Sequence, residues 1–189
     1  MMRVGCSHFF VFILTLFLFL LLAYPNPNSK ISDGIGLYFH GMNNSNILNN
    51  STFSNSSYGL YAFRVYDSTL TNNTVSSNSS FGMYINQSNS NTYSNNSVIS
   101  NGANATWLYQ SSDNIFNTNS SISTTHNGIR LSGSSNNNRF TNQIATGAIY
   151  GVHIGGSSNN IFSCGNISGG SNSQFITPDS QGNIFSSCN

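Results

Sequence analysis

The segment Gly-Leu-Tyr that begins at Gly36 returns in variant form every 23 residues along the chain. Copies start at Gly59 (GLYA), Gly82 (GMYI), Ala105 (ATWL), Gly128 (GIRL), Gly151 (GVHI) and Gln174 (QFIT). A fixed period of this length means one small unit used repeatedly, each copy unable to bury a core alone and stable only when stacked on its neighbours. Asn, Ser, Thr and Gly dominate the composition. Without the period, that would read as a disordered low-complexity chain. Seven aligned copies at one spacing override that reading.

The first and third residues after the Gly position are Leu37/Phe39, Leu60/Ala62, Met83/Ile85, Thr106/Leu108, Ile129/Leu131, Val152/Ile154 and Phe175/Thr177. Nearly all are apolar, and their period-two alternation places them on the interior face of a strand. A second apolar column reads Leu48, Leu70, Tyr93, Phe116, Phe140, Phe162 and Phe185, and a looser third reads Phe53, Val75, Val98, Ile122, Ile144 and Ile167. Each unit thus holds two or three short strands joined by polar corners. Two residues before the second column stand Asn46, Ser68, Asn91, Asn114, Asn138, Asn160 and Asn183. Two after it stand Asn50, Asn72, Asn95, Thr118, Asn142, Cys164 and Ser187. Asn tolerates the left-handed backbone of a sharp corner, and amides stacked in register hydrogen-bond to one another. These residues are read as structural.

Helical hairpin repeats have longer units rich in helix formers, and an antiparallel meander would not hold one strand phase over a constant interval. The sequence therefore predicts an all-β fold: a single-stranded right-handed parallel β-helix (solenoid) of about seven 23-residue rungs. Successive rungs are expected to rise by about 4.8 Å, with the right-handed crossover usual between parallel strands.

Only 5% of the residues are charged, against about 25% in an ordinary soluble domain. There is no Glu, and beyond residue 24 Lys30, Arg64, Arg130 and Arg139 balance Asp33, Asp67, Asp113 and Asp179. Four scattered cations cannot neutralise a phosphate backbone, which excludes nucleic acid as a partner. At the N-terminus, Arg3 precedes an apolar run from Phe9 to Tyr24 that Pro25 and Pro27 close. This pattern fits a signal peptide or, because Leu21 and Ala23 make a poor cleavage site, an uncleaved signal anchor. Either would put the remainder outside the cytoplasm. The organisation read is targeting segment 1–24, linker 25–33 and β-helix domain 34–189, with contact to a membrane only through the N-terminal segment. The last rung carries no evident cap, so end-to-end self-association is a further expectation.

The runs SNILNNSTFSN, GIRLSGSSNNNRF and GVHIGGSSNNIF resemble the parallel β-helix repeats of NosD-like proteins and of the wider carbohydrate-binding and sugar-hydrolase β-helix group. The resemblance covers about residues 34–189. It implies the fold strongly. For function it implies a range that runs from surface adhesins to polysaccharide lyases and hydrolases and a periplasmic copper-maturation factor.

A glycosidase of this fold would need two carboxylates roughly 5–10 Å apart. Asp67 and Asp113 share a column, but its other members, Asn44, Ser90, Asn136, Asn159 and Gly182, are turn residues. No catalytic residue is assigned. His40 and Met42 offer side chains that copper accepts. The other histidines of the repeat, His126 and His153, lie rungs away, so no metal ligand set and no cofactor are assigned.

Between the two inward residues of the Gly-led strand lie Tyr38, Tyr61, Tyr84, Trp107, Arg130, His153 and Ile176, with His40, Phe63 and Tyr109 two residues further on. Aromatic residues suit strands and stabilise their neighbours by themselves. A continuous outward strip of them is also the surface expected of a binding site. Tyr38, Tyr61, Tyr84, Trp107, Tyr109, Arg130 and His153 are accordingly the candidate contacts for a polysaccharide, an envelope glycan or a partner. Cys164 and Cys188, one residue out of register in adjacent rungs, are the candidate disulfide. Sequons at Asn43, Asn55, Asn78, Asn86, Asn104, Asn119 and Asn166 are candidate glycosylation sites.

Overall fold

The computed structural model describes residues 30, 31 and 34–187. The expected targeting segment, nearly all of the linker, Cys6 and Cys188 lie outside them. Three seven-stranded sheets, all parallel, are wound from consecutive strands, so that each strand pairs with those three places before and after it in the chain. Sheet I holds Leu37–His40, Leu60–Phe63, Met83–Asn86, Thr106–Tyr109, Ile129–Ser132, Tyr150–Gly155 and Asn172–Ile176. Sheet II holds Asn46–Leu48, Thr69–Thr71, Thr92–Ser94, Ile115–Asn117, Arg139–Thr141, Ile161–Ser163 and Ile184–Ser186. Sheet III holds Lys30–Ile31, Ser51–Ser54, Thr74–Ser77, Ser97–Ser100, Ser120–Ser123, Ile144–Gly147 and Asn166–Gly169. This is the solenoid that the period predicts, with no helix among the described residues.

Sheet I keeps the 23-residue step from Leu37 to Val152, and its expected inward residues from Phe39 to Ile154 are buried. The leading Gly is required by close approach. A Cβ at Gly59 would lie 2.7 Å from Val75 Cγ1, and one at Gly82 would lie 2.5 Å from Val98 Cγ1. Ala105 fills the same position where the corresponding residue of sheet III is Ser121 rather than Val. Sheet II stacks rings inside the coil. Tyr93, Phe116, Phe140, Phe162 and Phe185 succeed one another at centroid separations of 4.5, 4.6, 4.2 and 4.7 Å, with planes within 12° of parallel.

Each corner divides its work between two adjacent residues. One takes the left-handed backbone and points out: Arg64, Gln87 and Gln110 after sheet I, Asp67, Ser90 and Asp113 before sheet II, and Asn49, Asn72 and Asn95 before sheet III. The next residue points in and caps the rung above or below. Asn91, Asn114, Asn138, Asn160 and Asn183 form one amide ladder through backbone N–H to Oδ1 bonds of 2.9–3.0 Å. Asn50, Asn73, Asn96 and Asn119 form a second. Ser88, Ser111, Ser135, Ser157 and Ser180 form a third, by hydroxyl, that the sequence reading missed.

Several expected columns shift by one residue. Ile47, not Leu48, is inward in sheet II, and Leu48 is half exposed. Ser45 rather than Asn46 accompanies Ser68 in its ladder. Asn72, Asn95, Thr118 and Asn142 are left-handed corner residues, and the ladder runs through the residue after each. In sheet III the inward residues are Thr52, Val75, Val98, Ser121, Ala145 and Ile167, so Phe53, Ile122 and Ile144 of the expected column point outward. Two length changes cause the remainder. Ile115 pairs with Arg139 and Arg139 with Ile161, steps of 24 and 22, which puts Asn137 rather than Asn136 in the Asp67 column. His153 pairs with Phe175 and Ile154 with Ile176, a 22-residue step. A one-residue slip exchanges the two faces of a strand, so Phe175 is exposed and Ile176 packs against the core, the reverse of the expectation.

Candidate functional site: the aromatic face of sheet I

Alternation along the sheet I strands, whose partners they bury, turns Tyr38, Tyr61, Tyr84, Trp107, Arg130 and His153 outward, and parallel pairing aligns them rung on rung. The register thus brings together six of the seven candidate binding residues. Tyr109 belongs to the neighbouring outward column, its ring edge-on to Trp107 at 5.9 Å. Centroid separations along the row are 5.3 Å from Tyr38 to Tyr61, 5.1 Å to Tyr84 and 4.7 Å to Trp107, with planes 7–27° apart. Contacting carbon atoms sit about 3.5–4.0 Å apart, so nearly parallel rings with centroids 5.1 Å apart are slipped like shingles. The faces are partly spent on one another. Each ring offers solvent an edge, a polar tip and part of one face.

Two further columns widen the row. Tyr58 and Phe81, each directly before the Gly of a copy, stack on each other at 5.7 Å and press against Tyr84, and Phe81 meets Trp107 edge-on at 4.7 Å. On the other side His40 stacks on Phe63 at 5.2 Å. Sequence reasoning missed Tyr58 and Phe81, although an aromatic before Gly59, Gly82 and Gly151 was visible as a column. It also missed Phe175, which stacks on Tyr150 at 5.1 Å and extends the row past His153.

The polar tips are partly engaged. The Trp107 indole N–H donates to Ser132 Oγ at 2.8 Å, and Asn86 Nδ2 donates to the Tyr61 hydroxyl at 3.2 Å. The Arg130 guanidinium lies 5.4 Å over the Trp107 ring, and its Nε is enclosed without a hydrogen-bond partner. Burial, reinforced by the neighbouring phenols of Tyr61, Tyr58 and Tyr109, pushes the Tyr84 hydroxyl up to about 12. Burial and then the Arg130 charge hold the His153 imidazole below its ordinary value. The face is thus a largely neutral aromatic surface with two cations, Arg130 in the row beyond Trp107 and Arg64 over the Phe63 ring at 4.9 Å.

The other candidates are dispersed. Asp67 and Asp113 both take the left-handed corner, with φ of 48° and 58°. His40 is exposed against Phe63, and Met42 packs toward the core. Among the described residues no three His, Cys, Asp or Glu side chains gather into a metal-binding group, and no helix is long and apolar enough to cross a membrane. Cys164 sits in a left-handed corner with φ of 51°. Asn119 is buried in an amide ladder and Asn104 is buried with its Oδ1 accepting from Asn127 Nδ2, which removes both as glycan acceptors in the folded chain. Asn43, Asn55, Asn78 and Asn166 are exposed, and Asn86 is half-buried.

None of the curated proteins matches the sequence. Among solved structures, the periplasmic alginate epimerase AlgG superposes with a TM-score of 0.63 at 20% identity, over 85% of this chain and 49% of that one. A variant of the same enzyme gives 0.64 over the same shares. The chain spans about half the length of those proteins, and at this identity the likeness is one of fold. Residues 27–121, half of the chain, match the model of the right handed beta helix region, and the chain belongs to that family of right-handed parallel β-helix proteins.

Proposed function

We propose that the chain is an exported, non-catalytic solenoid, secreted or held at the cell surface, that binds an extended saccharide along the aromatic face of sheet I. The observation that carries this reading is the three-column aromatic surface around Tyr61, Tyr84 and Trp107, whose central row is unbroken by charge until Arg130 and whose margin carries Arg64 over Phe63. Sugar rings present apolar C–H faces and hydroxyl rims. The slipped rings match both, with partial faces and polar tips, and the ladder of identical rungs suits a ligand that is itself a repeating chain. The apolar run at Phe9–Tyr24 supports export, as does the periplasmic setting named for the enzyme of similar fold.

Trp107 is the single tryptophan of the chain, so its fluorescence reports on the face directly. A titration with a panel of polysaccharides is expected to give a saturable shift that Tyr84→Ala weakens. No shift from any member of the panel, with the fold intact, would leave the face as scaffold.

The likeness to alginate epimerase favours a second reading, an enzyme acting on a polysaccharide. It predicts new chain ends, or an altered uronate composition, when the protein is incubated with alginate and related polymers. Products of either kind would displace the non-catalytic reading.

Two modifications belong with the exported setting. Cys164 is assigned to a disulfide with Cys188 that would close the last turn of the coil, a bond the exported setting favours. Two free thiols in the denatured, unreduced protein would overturn this. Where the host glycosylates, glycans are expected at the exposed Asn43, Asn55, Asn78 and Asn166. Intact mass without added hexose would remove that part of the reading.

A further inference from the structure

Resting on the saccharide-binding reading, we propose that Arg130 forms an anion subsite in the row, so that the saccharide this face takes carries carboxylate groups. Arg130 is the single cation in the outward row of sheet I, between Trp107 and His153. Its side chain is laid over the Trp107 ring. That contact satisfies the flat face of the guanidinium and none of its N–H groups. The Nε–H is shielded from water and unpartnered. The terminal Nη1 and Nη2 groups are not enclosed and also lack a protein partner, so they are the donors an incoming acceptor can reach, and a charged donor gains most from a charged acceptor.

The protein supplies no such partner from the neighbouring side chains. The Trp107 indole N–H and Ser132 Oγ are engaged with each other. On the far side His153 is held toward its neutral form by burial and by Arg130 itself. Of the described carboxylates, Asp67 and Asp113 occupy corner positions facing out. Asp179 is taken up by Thr177 Oγ1 and the Gly156 N–H.

With one flat face on the indole and Nε enclosed, the guanidinium is left to present its two terminal amino groups as a planar fork. That fork matches a carboxylate bidentately, and a neutral hydroxyl uses only half of it. Arg64, over Phe63 at the margin, donates its Nε–H to Gln87 Oε1, so the row itself holds one such fork, which discriminates between an acidic sugar and its neutral counterpart at a defined point along the chain.

The test compares oligogalacturonate, oligoglucuronate and oligomannuronate hexamers with their fully methyl-esterified forms, read by Trp107 fluorescence on the whole chain. The esters keep the ring faces and remove the charge. We expect at least one acid form to bind about tenfold or more tighter than its ester, with the advantage lost as salt rises from about 50 to about 500 mM. Arg130→Gln is expected to bring acid and ester to the same affinity, and Arg130→Lys to restore part of the gap. Ester binding within twofold of the parent, about 0.4 kcal/mol, shows that the variant's face is intact.

Equal affinities for acid and ester in the parent protein overturn the anion subsite and leave the aromatic reading standing. An acid preference that survives Arg130→Gln places the charge recognition elsewhere and also overturns it. Tight binding of a sulfated glucan with no uronate binding would overturn the carboxylate assignment. Binding of neither acids nor esters, nor of any neutral polymer, removes the subsite and the saccharide-binding reading together.

Discussion

Tyr93 leaves a buried polar atom unsatisfied. Its ring is fully buried and stacks on Phe116 at 4.5 Å, yet its hydroxyl has no hydrogen-bond partner, and burial raises its ionisation far above the ordinary value. The column continues through Phe116, Phe140 and Phe162, so a phenyl ring is plainly accommodated there. An unsatisfied buried hydroxyl costs about 1–3 kcal/mol. Tyr93→Phe is therefore expected to raise the denaturant midpoint by about 1 kcal/mol of stability, and a lower midpoint would mean the hydroxyl is bonded. His153 gives the second residue-scale prediction. It faces Arg130 along the row and lies against the Tyr150 and Phe175 rings. Its folded value is depressed below the ordinary 6.5. The unfolded chain therefore binds the proton more readily, and the neutral form's contribution is complete above about pH 6.5. That contribution is lost as pH falls through the folded value. Melting temperature should decline from pH 7 toward pH 5, and the decline should shrink in His153→Gln.

At the scale of the rung, left-handed geometry and amide stacking are separate tasks given to consecutive residues, and a pair of substitutions distinguishes them. Asn72 has φ of 56° and is exposed, so Asn72→Gly retains the corner and should shift stability by less than about 1 kcal/mol. Asn73 accepts from Asn50 N at 3.0 Å and from Asn50 Nδ2 at 2.9 Å, and donates to Ile47 O and Asn96 Oδ1. All are buried, and Asn73→Ala should cost about 2–3 kcal/mol in equilibrium unfolding. Equal effects of the two changes would refute the division. This arrangement also explains what was legible beforehand. In sheet I the glycine fixed the phase, and the alternation could be read directly from Leu37 to Ile154 and outward from Tyr38 to His153. Sheet III offered no such marker. Apolar residues stand on both of its faces, Val75 and Val98 inside and Ile99 and Ile144 outside, while Thr52 and Ser121 fill inward places, so pattern alone chose the wrong member at three positions. Asn72 and Asn73 are chemically identical, and only the observed backbone shows which turns in. Phe175 escaped notice because a constant period was carried through a corner that had lost a residue.

For the whole molecule, the coil has almost no electrostatic reserve, with charged residues at 5% of the chain. Its coherence rests on contacts between successive rungs, in which each layer touches only the next. In such an array, stability is set by local interface strength, which varies along this coil. Strands in the middle bury alternate residues completely, as Thr106–Tyr109 and Ile129–Ser132 do. The strand Asn172–Ile176 leaves four of its five residues exposed, and Asn166–Gly169 buries none fully. Phe116 is enclosed between Tyr93 and Phe140, whereas Phe185 meets Phe162 alone among the described rings and is half-buried. Phe116→Ala should therefore cost about 3–5 kcal/mol. Phe185→Ala, with one ring neighbour and less area removed from water, should cost roughly half that or less. Native-state hydrogen exchange should follow the same gradient, with amides of Thr106–Tyr109 and Ile129–Ser132 opening only with global unfolding and those of Asn172–Ile176 opening first. The aromatic face is densest over the strongly coupled rungs, from Tyr61 to Trp107, where the scaffold would hold the rings in fixed spacing for a ligand. Uniform protection from the first described rung to the last would show that the coil opens as one unit, and the gradient argument would fail.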